Sequence, residues 1–353
     1  MSEALVSGAP DSASAYRVGD WVEVRSAAEI MSTLDASGCL EGLPFMPEML
    51  QYCGRRFRVY KSAHKTCDTI RDYVIRRMDG AVHLETLRCD GSGHEGCQAA
   101  CLLYWKTAWL KWVSRGDADA APNPAARPPN PAQTVTSTIE WMTLLPTTRV
   151  TNSPPDGEPR FRCQATEVLA ATREVRRRDR WNPAFYVRDI TSGNVSIWDF
   201  IRYGALATVN ALIARWLNRR LPHFRGALTG STPAAKLHLQ PGELVQVRSK
   251  EEIMETLDSN KKNRGLFFDV EMLPYCERGT YRVLNRVERI VDEKTGKLIK
   301  LPNPCVILDG ASCSGMHSAS RMFCPRHLYP FWREIWLKRV DDSRTGGGIG
   351  AKT

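Results

Sequence analysis

Apolar and polar residues alternate along Leu244-Val-Gln-Val-Arg248, the period-two pattern of a strand with one buried face. Glu251–Asp258 follows, with Ile253, Met254 and Leu257 on one side of a short helix. Thr280 to Val291 then runs as a strand into Asp292-Glu-Lys-Thr-Gly296, a hairpin signal, and returns through Lys297-Leu-Ile-Lys300. Val306-Ile-Leu308 and Ile335 to Val340 supply the remaining strands. About five short strands with one helix after the first predict a small SH3-like barrel.

The pattern occurs twice. Gly19-Asp-Trp-Val-Glu-Val-Arg-Ser26 returns as Gly242-Glu-Leu-Val-Gln-Val-Arg-Ser249, and Glu-Met-Leu-x-Tyr-Cys stands at Glu48–Cys53 and again at Glu271–Cys276. From Gly19 to Cys53, 19 of 35 positions repeat without a gap. Trp105, Trp109, Leu110, Lys111 and Val113 likewise match Trp332, Trp336, Leu337, Lys338 and Val340. The repeat predicts a mostly β protein with an α segment, in which two homologous modules, 17–113 and 240–340, flank a different region. That region, 138–225, reads as helical and basic, with helices over Ala165–Arg180 and Ile197–Arg220. Ala- and Pro-rich 114–137 and Gly/Ser/Thr-containing 226–239 read as linkers, and 1–16 and 341–353 as disordered ends.

The motifs Val-Arg-Ser-x-x-Glu-Ile-Met and Glu-Met-Leu-x-Tyr-Cys stand in both copies. Through them the chain resembles an uncharacterised bacterial family of cysteine-rich proteins with a duplicated SH3-like module. The resemblance implies a grouping and no activity.

Composition adds compartment and charge. The chain has 353 residues with Lys+Arg 49 against Asp+Glu 39, a net charge of +10; hydrophobic residues are 42% and charged residues 25%. These values argue against a wholly disordered or integral-membrane protein. The N-terminus lacks a basic start followed by an apolar run, so a cytoplasmic location is expected. The 11 cysteines are then poorly explained as disulfides.

The repeat sorts those cysteines. Cys67 falls opposite Val291 and Cys101 opposite Leu328, as core positions do, while Cys39 and Cys305 face Lys262 and Ala81. Three pairs recur, namely Cys53 with Cys276, Cys89 with Cys313, and Cys97 with Cys324, and His94 or His317 stands within each set. Three sulfurs and an imidazole per module form the ligand set of a closed structural zinc site. Cys67, Cys101 and Cys163 are possible extra ligands in the first copy. An iron–sulfur cluster in an electron-transfer or accessory component of an enzyme system is the alternative.

Other signals point to partners. Arg173, Arg176, Arg177, Arg178 and Arg180 form a basic cluster that suits nucleic-acid phosphates, or simply a solvated face. Residues 197–220 suit a peripheral membrane contact, and the chain as a whole a protein or nucleic-acid partner. No Gly-x-Ser-x-Gly elbow, Walker loop or His-Glu-x-x-His motif occurs, which favours a binding or scaffold role over catalysis.

Overall fold

The computed structural model describes residues 16–71, 73–114, 131–150, 158–176, 178–179, 182–217 and 226–340. Its first half builds β1 (Trp21–Val24), β2 (Arg56–Ser62), β3 (Lys65–Cys67), β4 (Ile75–Arg77), β5 (Ala81–Arg88), β6 (Leu102–Lys106) and β7 (Leu110–Trp112). Five of these form a curled antiparallel sheet in the order β6-β5-β2-β1-β7. Strand β1 alternates half-buried and buried side chains, because Val22 and Val24 face the core.

The second half repeats the plan. Its strands β9 (Leu244–Val247), β10 (Tyr281–Val291), β11 (Leu298–Leu308) and β12 (Leu337–Arg339) take the order β11-β10-β9-β12. A single bridge, Val306 to Trp332, stands where Val82 pairs with Trp105 in the first half. Both copies thus curl a sheet into half a barrel, as the duplication requires.

The repeated residues do repeated work. Ser26 and Ser249 each cap a short helix, α1 (Ala27–Met31) and α5 (Lys250–Met254), in a capping box with Glu29 or Glu252. Phe45 meets Trp109 edge-on at 5.2 Å, and Phe268 meets Trp336 at the same 5.2 Å. The indole N–H donates to Thr33 Oγ1 at 3.1 Å in one half and to Thr256 Oγ1 at 2.9 Å in the other. All four repeated tryptophans are fully buried, so each half owns a core anchored by aromatic area.

The halves differ where chain is inserted. In the second, β10 and β11 form one long hairpin across Asp292–Gly296. In the first, β3 and β4 interrupt that path as a separate hairpin, and β8 (Arg173–Glu174) from the middle region joins it. The middle region holds helices α2 (Pro131–Leu144), α3 (Ala184–Thr191) and α4 (Ile197–Leu217), with α2 beginning inside the stretch read as linker.

The helix expected over Ala165–Arg180 is not formed among the described residues. Residues 164–171 are turns, and β8 follows. The Thr166 hydroxyl bonds back to the Cys163 carbonyl, and the Thr172 hydroxyl to that of Val168, local competition that draws a chain away from regular helix. No helix among the described residues is long and apolar enough to cross a membrane.

The two halves interlock reciprocally. The Val291 amide of β10 donates to Cys97 Sγ at 3.3 Å, and the Cys67 amide of β3 donates to Cys324 Sγ at 3.1 Å. Cys67 and Val291 occupy matching positions in the repeat, as do Cys97 and Cys324. Each half therefore rests a strand on the cysteine loop of the other, the self-complementary logic of a twofold interface within one chain. Buried Arg326 seals the seam. It donates to the Cys67 carbonyl at 3.2 Å and to Thr69 Oγ1 at 2.7 Å, and pairs with Glu293 at 3.1 Å.

Candidate metal centre

In each half the Glu-Met-Leu motif lies on a 3-10 helix, Pro47–Tyr52 or Val270–Tyr275, whose tight turn points the glutamate inward. Glu48 is 2% exposed, rare for a carboxylate without a partner. Its Oε1 accepts from the Cys89 thiol at 3.2 Å, while its Oε2 is buried without a hydrogen-bond partner. The Gly93 amide lies beside the carboxylate and favours its charge. Cys89 Sγ stands 3.6 Å from His94 Nε2, and the other ring nitrogen, Nδ1, is buried without a partner. Glu48, Cys89 and His94 thus offer three ligand atoms that all lie within 4.8 Å of one another.

The loop holding Cys89 and His94 depends on glycine. Gly91 sits at φ +80°, and a Cβ there would stand 2.2 Å from the Cys97 carbonyl oxygen. Gly315, at φ +68°, is pressed against the backbone of Cys324 in the same manner. The glycines let each loop fold back so that its two recurring cysteines approach.

A cavity of about 40 Å³ opens at this cluster, room for an ion with a water or two. Its walls include Glu48, Cys89, His94, Cys97, Cys101 and Cys163, closed from the second half by Val291 and Glu293. The sulfurs of Cys97 and Cys163 accept backbone amides, from Val291 and Ala99 and from Thr166 and Ala165. Such bonds favour thiolate. Burial acts the other way, pushing Glu48 up to about 7, Cys163 up to about 12 and His94 down to about 4, and raising Cys89 and Cys101. Burial thus works against the charged form of each of these groups.

The remaining expected ligands are dispersed. Cys53 closes the 3-10 helix against the core and is absent from the cavity; burial first and Glu140 second push its thiol up to about 12. Cys276 does the same in the second half, raised to about 11 chiefly by burial. Their recurrence reflects packing beside a repeated helix end. Cys276, Cys313, His317 and Cys324 do not meet as a ligand cluster, since Glu48, Cys89 and His94 form the cluster found among the described residues.

The pairing of His317 with His94 is also displaced by one position. The His317 amide donates to Glu271 Oε1 at 2.8 Å, the place Gly93 takes beside Glu48, and the His317 ring packs on Tyr203 of α4 instead. Ser314 occupies the other oxygen of Glu271 at 2.8 Å. Cys67 and Cys324 pack together in a small apolar cluster across the seam.

Glu48 is the candidate ligand that reasoning from cysteine and histidine alone misses. The signal was present, since a carboxylate repeated inside an otherwise apolar motif needs a reason to be there. Of the basic cluster, Arg177 and Arg180 lie outside the described residues, Arg173 pairs with Asp79, and Arg178 lies 3.7 Å from Asp179. No protein-family model, curated protein or solved structure matches the chain.

Proposed function

We propose that the chain is a metal-binding interaction or scaffold protein of two SH3-like modules, with one zinc ion held in the first module by Glu48, Cys89 and His94. Cys97 lines the same cavity and would have to shift toward the three to complete a tetrahedron. The observation that carries this reading is the convergence of those three ligand atoms in a buried cavity. Ligands around a tetrahedral zinc stand roughly 3.3–3.8 Å apart, close to the spacings of Cys89 from Glu48 and His94. A divalent charge would offset the burial of thiolate and carboxylate together.

The interaction role is supported by α4, where Trp198 and Trp216 are 77% and 83% exposed and Ile201, Val209 and Leu212 are exposed beside them. Apolar area of that kind suits a protein partner. The neutralisation of Arg173 by Asp79 weakens the case for nucleic acid.

An iron–sulfur centre is the second reading, favoured by the four cysteines, Cys89, Cys97, Cys101 and Cys163, that line the one cavity. Elemental analysis of the full chain, purified without added metal and under exclusion of oxygen, separates the two. About one zinc per chain is expected, lost in Glu48→Gln and His94→Ala and retained in Cys53→Ala. A brown protein absorbing near ~400 nm assigns iron–sulfur instead. A colourless chain that neither carries zinc nor takes it up from a chromophoric competitor ends both readings.

A further inference from the structure

We propose that Cys67 and Cys324 are an oxidisable pair, which a peroxide converts into a disulfide joining the two halves of the chain. The two residues are 257 positions apart in sequence, yet they share a small buried cluster with Ile75, Val175 and Phe185. The Cys67 amide donates to Cys324 Sγ at 3.1 Å, and the two thiols are in hydrogen-bonding contact. Strand β3 delivers Cys67 to the seam, and the turn before Arg326 delivers Cys324. Among the described residues no other cysteine pair across the seam has its two thiols in such contact.

The Cys324 thiol, then the guanidinium groups of Arg326 and Arg321, lower the pKa of Cys67, whereas burial raises that of Cys324. Either sulfur of the pair can serve as the attacking thiolate, and Cys67 has Arg326 and Arg321 beside it. When Cys67 attacks, its sulfur takes one peroxide oxygen to give a sulfenic acid, and the other oxygen leaves as water or alcohol after gaining a proton. The Cys324 thiol then attacks that sulfur, the S–S bond forms, and the hydroxyl leaves as water. Two electrons pass from the pair of sulfurs to one peroxide molecule, and the two thiol protons end in the products. Both residues are 3% exposed, so the oxidant enters as the seam opens locally, and the reaction rate follows that opening.

This site is independent of the zinc reading, since neither cysteine lines the cavity at Glu48. The test uses the full chain as purified, desalted from reductant, treated with a slight molar excess of hydrogen peroxide, blocked with N-ethylmaleimide and digested with trypsin without reduction. Cleavage after Lys65, Arg71, Arg321 and Arg326 places each cysteine alone in its peptide, residues 66–71 and 322–326. The expected product is the two peptides joined, two hydrogens lighter than their sum. The oxidised chain melts several degrees higher, and dithiothreitol reverses the shift, because the link closes a long loop. Both peptides recovered with maleimide after the peroxide is consumed overturn the proposal, and so does a link from Cys67 to Cys313. Protection that persists until a chelator is added assigns the pair to a metal ion and overturns it equally.

Discussion

His83 is fully buried on β5, its Nδ1 2.9 Å from the Leu103 carbonyl and its ring against Tyr104. Burial holds its pKa near 3, with His327, Arg88 and Arg326 adding repulsion; His327 is held near 4, chiefly by its own burial. Both values lie below the 6.5 of an unfolded histidine, so below that pH the unfolded chain binds protons that the fold refuses. Stability is complete above about pH 6.5 and falls as the pH drops toward 4, by on the order of several kcal/mol at most from the two residues. Urea unfolding of wild type and His83→Gln from pH 7 to 4 checks this, since the variant must show the shallower decline. Equal slopes would show that His83 is not a source of acid sensitivity.

Short elements in this fold are fixed locally and were legible for that reason. The alternation of β9, carried over to β1 by the repeat, and the Asp292–Gly296 turn are written within a few neighbouring residues; so are the capping boxes at Ser26 and Ser249, which the pattern reading passed over. Ser249→Ala should cost about 1 kcal/mol in urea unfolding, because it frees the Glu252 amide that the serine caps at 3.1 Å. A change under ~0.2 kcal/mol would mean that tertiary packing alone holds α5. What the pattern could not give depended on long-range partners. The Ala165–Arg180 stretch has helical composition, yet Gln164 reaches the backbone of Tyr104 and Pro44, and Arg173–Glu174 are taken up by β4. At the site, the repeat pointed to Cys89, His94 and Cys97 but also to Cys53 and Cys276, because recurrence cannot separate a ligand from a packing thiol. His317 was misplaced because the loops differ in length, and only the matching amides on Glu48 and Glu271 reveal the true register.

At the scale of the molecule, the seam is held by charge as well as by shape. Arg326 is 2% exposed and meets Glu293, whose carboxylate also accepts from Thr69 and walls the cavity at Glu48. Replacing Arg326 by Met leaves Glu293 buried without its cation and should cost ~3–5 kcal/mol. Arg326→Met with Glu293→Gln should regain much of that loss. Calorimetry of the single and double variants reads both, and strictly additive losses would show the two groups to be uncoupled.

The reciprocal hold of strand on loop bears on how the two copies were free to diverge. Each cysteine loop is gripped by a main-chain amide, which every residue but proline supplies whatever its side chain. Gly91 and Gly315 had to remain glycine, whereas the gripping position tolerates Val291 in one copy and Cys67 in the other. Reactivity could thus be confined to one of two otherwise equivalent joints without loosening either.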